Sequence, residues 1–121
     1  MIALILALLI QVPVYEPPYE VIQAKVTASA PYDNQSGICA DSDPLHTATM
    51  TTPRIGVIAV DPSKIAYGTQ VYIDGYGTAV AEDTGGALRN YDGYAIDVFM
   101  QSYDDAMAWG VQYIDVIVYK D

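Results

Sequence analysis

Hydrophobic and polar positions alternate in short bursts along this chain. Residues 21–28 (VIQAKVTA) carry the period of two that marks a half-buried strand. Residues 55–60 (IGVIAV) are a short apolar run, which predicts a buried strand. Residues 69–73 (TQVYI) and 78–82 (TAVAE) predict two strands joined by Asp74-Gly75-Tyr76-Gly77, a hairpin signal. Residues 95–100 (AIDVFM) and 112–119 (QYIDVIVY) predict two more. Asp61-Pro62-Ser63-Lys64 reads as a turn, with Pro at its favoured second position. Residues 31–54 and 87–94 read as polar loops, the first long enough to suggest a functional role.

One segment reads as a helix. Ser102 is suited to the N-cap, with Asp105 three positions on, and Asp104 and Asp105 complement the positive end of a helix dipole. Gly110 is a natural stop after Trp109. About six short strands, one short helix and no long-period repeat predict a mainly β fold, a small barrel or sandwich.

The N-terminus departs from this pattern. Residues 1–10 (MIALILALLI) are uninterruptedly apolar, yet half the length of about 20 that a spanning helix needs. They match the apolar region of an export signal, without a preceding Lys or Arg or a small-residue cleavage site. We read them as an export signal or a weak membrane tether, which places the protein outside the cytoplasm. An apolar N-terminal strand or helix, or a truncated reading frame, is the alternative. Pro13, Pro17 and Pro18 read as a linker, so residues 1–20 are set apart from a folded domain at 21–121.

Composition narrows the function. The 121 residues amount to one domain, and 52% hydrophobic with 17% charged residues excludes disorder. The formal net charge of −10 opposes nucleic acid as a partner. One Cys and one His exclude thiolate and multi-His metal sites. The Asp residues lack the spacing of a Ca²⁺ loop, so neither metal nor cofactor is expected.

Three Asp meet strand ends or turns: Asp61 (IAVDP), Asp83 (VAEDTGG) and Asp97 (AIDVFM). Asp97 lies within an apolar strand, and alternation places it with Ala95 and Phe99, away from Ile96, Val98 and Met100. Desolvation and a neighbouring Asp raise a carboxyl pKa, which is what a general acid requires. An Asp bonded to backbone at a strand bulge is an equally good reading. Gly85 and Gly86 permit a tight turn with positive φ after Asp83, and an ordinary Asx-turn is the alternative. Asp61 reads as a turn-fixing residue.

The ordered segments IAVDPSKIAYGTQVYI, GYGTAVAEDTGGAL and IDVFM resemble the three-aspartate (3D) domain, similar to MltA-type lytic transglycosylases and stationary-phase muralytic proteins. The resemblance covers residues 55–119, and Val26-Thr27-Ala28 matches the family's first strand. It implies a double-psi β-barrel that cuts the peptidoglycan glycan strand between MurNAc and GlcNAc without water, leaving a 1,6-anhydro end. It also implies Asp97 as acid and then base, Asp83 beside it tuning its pKa, Asp61 in support, and Thr27 in the cleft. Thr84, Gly85 and Gly86 fall in the matched motif and are expected to line the substrate site. The stretch ALRNYDGYAI is about three residues longer than the family's Gly-Asn turn, which reshapes the wall beside Asp97.

Tyr91 and Tyr94 flank the approach to Asp97 and are our expected glycan contacts; Tyr67 and Tyr76 also fall near turns. Tyr72, Tyr113 and Tyr119 lie in strands and read as core or barrel surface, and Trp109 as a packing anchor. Thr47, Thr49, Thr51 and Thr52 offer hydroxyls to N-acetyl groups, or simply favour strand edges. Cys39 reads as a buried or idle thiol, and His46 as a loop histidine.

Two rival functions stand behind this one. Asp83-Thr84-Gly85 also fits a retropepsin-like aspartic protease, but Gly86 and the missing late Gly-Arg-Asn/Asp element oppose it. An expansin-like wall-binding module shares the barrel and cleaves nothing. The sequence leaves the oligomeric state open.

Overall fold

Six strands close into a barrel in a computed structural model of the protein, which describes residues 17–31 and 46–120. They are β1 (Tyr19–Ser29), β2 (Val57–Ala59), β3 (Gln70–Ile73), β4 (Gly77–Asp83), β5 (Tyr94–Phe99) and β6 (Gln112–Tyr119). Around the barrel they run β1-β5-β2-β4-β3-β6. The β1–β5 and β2–β4 pairs are parallel, and the other four are antiparallel. Advancing every strand by three places reproduces the same pairings: β1–β5 becomes β4–β2, and β1–β6 becomes β4–β3. Two interlocked halves of this kind are the double-psi barrel that the motifs imply.

Period-two alternation fixes the inside. Val26 of β1, Ile58 of β2, Val71 and Ile73 of β3, Ile96 and Val98 of β5 and Val116 of β6 are fully buried in one cluster. Each such side chain contributes about 1.5–3 kcal/mol on burial. β-branched chains suit this pleated interior because their few rotamers are compatible with a strand.

A smaller cluster lies on the other face of the β2 and β5 strands, where Val57, Ala59, Ala95 and Phe99 pack under Leu88. Leu88 belongs to α1 (Gly86–Arg89), a single turn in a stretch that the sequence reads as loop from residue 87. No helical period is visible over four residues, so only the burial of Leu88 reveals the turn. Gly85 is extended at φ −161°, and Gly86 opens α1, so neither adopts the positive φ expected from the sequence.

The expected helix is α2 (Tyr103–Trp109). Ser102 Oγ accepts from the Asp105 N–H at 3.1 Å, and Gly110 ends the helix at φ +69°. Trp109 packs against the barrel's core cluster and donates its indole N–H to the Val26 carbonyl at 3.1 Å. Its ring lies 3.5 Å from the place a Cβ would occupy on Gly75, itself at φ +84° in the hairpin turn.

Strand limits differ from the sequence pattern where backbone geometry intervenes. β1 starts at Tyr19 because β6 pairs with it as far as Tyr119. β2 starts only at Val57 because Gly56, at φ +97°, breaks the extended run. Residues 1–16 and Cys39 lie outside the described residues. Among the described residues, no helix is long and apolar enough to cross a membrane.

Candidate active site

A single irregularity brings two of the three aspartates together. From Val80 and Ala81, opposite Val57 and Ile58, the β4 register jumps so that Asp83 stands opposite Ala59. Unbroken alternation would send Asp83 inward with Ala79 and Ala81. The bulge at Glu82 returns it to the outer face, as bulges do when they re-aim a side chain. On its other edge, Ala59 stands opposite Asp97. The two acids therefore flank one alanine on adjacent strands, with Cα atoms roughly 10 Å apart at two strand spacings.

Asp97 is gripped from β1. The parallel register sets Thr27 beside Asp97. Thr27 Oγ1 donates to Asp97 Oδ1 at 2.8 Å, and Ser29 Oγ donates to Asp97 Oδ2 at 2.5 Å. Burial nevertheless holds the Asp97 carboxyl above its ordinary value; the Ser29 and Thr27 bonds pull the other way, and the charge on Asp83 adds to the rise. Ser29 was not singled out from the sequence. Its signal is its position two residues after Thr27, on the same face of β1.

Asp83 is buried and accepts the Ala48 N–H at 2.9 Å. The segment that delivers this donor is tied to the bulge. Thr47 and Thr51 hydroxyls lie 2.6 Å apart, Thr51 Oγ1 donates to Glu82 Oε1 at 2.6 Å, and Thr49 Oγ1 donates to the Glu82 carbonyl at 2.9 Å. Arg54 forks onto the Glu82 carboxylate at 2.8 and 3.0 Å and lowers its pKa. These threonines thus serve as struts rather than as donors facing a ligand. His46 is exposed at the start of the segment.

Asp61 closes its turn as the sequence suggests. Its Oδ1 accepts the Ser63 N–H at 3.0 Å and the Ser63 hydroxyl at 2.8 Å. Those bonds, with smaller contributions from Lys64 and Arg89, keep its pKa low. Arg89 also donates to Thr84 Oγ1 at 3.1 Å, which binds α1 to the motif after Asp83. Gly85 and Gly86 lie in this connection, where a Cβ would meet only ordinary contacts at 3.8 and 3.9 Å.

The tyrosines divide sharply. Tyr91 packs against the Leu88 cluster on the Asp97 side. Tyr94 falls on the opposite alternation of β5 from Asp97 and packs partly against the interior cluster, while it also lines a pocket with Tyr91. Tyr76 is a strut: its hydroxyl accepts the Gly56 N–H at 2.8 Å and donates to the Phe99 carbonyl at 2.7 Å, and its ring meets Trp109 edge-on. Tyr67 is exposed, and Tyr113 is 66% exposed on the barrel surface. Among the described residues, no group of three or more His, Cys, Asp or Glu is placed to hold a metal ion.

Comparison with known proteins supplies context. The chain is 45% identical over 97 residues to "Cell wall-binding protein YocH" of Bacillus subtilis (strain 168), covering 77% of this chain and 31% of that protein. It is 45% identical over 69 residues to "Putative cell wall shaping protein YabE" of the same organism, covering 54% of this chain and 16% of that protein. The chain thus spans less than a third of either relative's length. Among solved structures it is similar to MltA from E. coli, with a TM-score of 0.48 and 24% identity over 64% of this chain and 28% of that one. The family model described as "3D domain" matches residues 56–120, more than half of the sequence, and the chain belongs to that family.

Proposed function

We propose that the protein is a peptidoglycan lytic transglycosylase that acts outside the cytoplasm, with Asp97 as its acid and base. The observation that carries this is the Asp97 carboxyl, held by Thr27 and Ser29 and raised in pKa by burial beside Asp83. A carboxyl that keeps its proton can deliver it to the glycosidic oxygen as the C1–O bond breaks. The MurNAc C6 hydroxyl then attacks C1, and its proton returns to the Asp97 carboxylate. Asp83 offsets positive charge developing on the sugar. One acid serves both steps, so no second carboxylate has to activate water or form a sugar ester. Asp61 supports the site through its turn, and Thr84, Gly85, Gly86 and Tyr91 form its wall. The glycan as partner is supported by the names of the two relatives, which are cell wall-binding and cell wall shaping.

A non-catalytic wall-binding module is the second reading, favoured by the name of the first relative. Mass spectrometry of purified peptidoglycan incubated with the protein separates the two. Anhydro-ended muropeptides from the wild type, absent with Asp97→Asn, support the enzyme. Reducing-end products indicate a hydrolase. An uncut wall that retains the protein indicates the module.

A further inference from the structure

The outward row of β1 continues past Thr27 to Lys25 and Gln23, and it leads into a pocket of about 240 Å³. Lys25 lies two residues from Thr27, about 7 Å along the strand and on the same face. Its Nζ sits 5.2 Å from the centroid of the Tyr91 ring. Tyr113 stands opposite Lys25 in the β1–β6 register and is 66% exposed, an aromatic that the core does not need.

The pocket is held in shape. Lys64 Nζ donates to the Tyr91 and Gly93 carbonyls at 2.8 and 2.7 Å. Gly93 adopts φ +126°, and a Cβ there would press to 3.2 Å from the Tyr91 ring. Only glycine lets the chain fold back beneath that ring. Gln23 is fixed by its bond to Asp115.

The placement of positive charge is selective. The protein has 5 Lys and Arg against 15 Asp and Glu. Arg54 is spent on Glu82, Lys64 on two carbonyls and Arg89 on Thr84, and Lys120 is exposed just past β6. Lys25 instead lines the pocket, its ammonium beside an aromatic face. Tyrosine faces stack on pyranose rings, and an ammonium binds a carboxylate. Asp92 on the same wall opposes a polyphosphate.

We propose that Lys25, Tyr91 and Tyr113 form a subsite adjoining Asp97 that takes a carboxylate-bearing sugar unit of the glycan. This rests on the glycan reading above. The carboxylate belongs either to the lactyl group of a bare strand or to an attached stem peptide.

Titration calorimetry tests this with soluble, uncut glycan strands, either peptide-bearing or peptide-stripped, in an Asp97→Asn background that prevents turnover. Lys25→Met keeps the aliphatic stem and removes the charge. Its expected effect is binding about tenfold weaker, or about 1.4 kcal/mol, for at least one strand type. High salt should abolish the difference, and Lys25→Arg should restore the affinity. The strand type that responds identifies the source of the carboxylate. Unchanged binding by Lys25→Met, or a loss that Lys25→Arg does not restore, overturns the subsite and leaves the glycan reading standing. If the parent binds neither strand, both fall together.

Discussion

Asp83 and Asp97 stand opposite the same residue, Ala59, one across a parallel pairing and the other across an antiparallel one. The alanine presents only a methyl between two acids, and the charge on one raises the pKa of the other.

Asp97→Asn should abolish activity and stabilise the fold at neutral pH. A general acid is worth about 10²–10⁴ in rate. The folded pKa of Asp97 is raised from 3.8, so between that value and the folded one the native state holds a proton that the unfolded state has lost. Wild-type stability therefore falls as pH rises through this window. Thermal melts from acid to neutral pH should show the Asn variant gaining Tm over wild type with rising pH, and no gain at the acid end. An equal offset at every pH would contradict the assignment.

Ser29→Ala removes a bond that favours the charged form of Asp97. The Asp97 pKa should rise further. An acid acts while protonated, so the alkaline limb of the pH–rate profile should move to higher pH. A shift to lower pH would mean that Ser29 does not stabilise the carboxylate.

Tyr76→Phe leaves the Gly56 N–H and the Phe99 carbonyl without the hydroxyl that joins them. Losing a partner for buried polar groups costs about 1–3 kcal/mol. Urea unfolding should show a lower midpoint with an unchanged slope.

Glu82→Ala should loosen residues 46–54 while leaving the barrel intact, because Thr51 and Arg54 both anchor on that carboxylate. Hydrogen exchange at the Ala48 amide, which Asp83 accepts, should speed up at least tenfold. Arg54→Ala alone should cost only about 0.5–1 kcal/mol, since the Arg54 side chain is half exposed.

The strands were legible from their hydrophobic pattern, and β6 has the same limits in pattern and structure. That pattern alone fits a barrel or a sandwich, and the motif resemblance pointed to the barrel. Helix α2 was legible because Ser102 and Gly110 are chemically distinct end signals. The face of Asp97 was legible because β5 has no break in its alternation. The face of Asp83 was not, since its position depends on a bulge in pairing with β2 that no local residue pattern states. The same limit applies to Ser29 and to the threonines at 47–51. Their roles depend on partners 31 to 68 residues away in sequence. Tyr94 shows the converse: nearness to Asp97 along the chain says nothing about a shared side of the strand.

The parallel pairing of β1 with β5 ties Thr27 to an acid 70 residues further on. A chain emerging N-terminus first carries the hydroxyls long before it carries their acceptor. Until the two strands meet, Asp97 is an ordinary ionised carboxylate in water. The rise in its pKa comes from burial and from the charge on Asp83, so it arises only once the barrel has closed. Such long-range pairing also favours slow folding, which delays that rise.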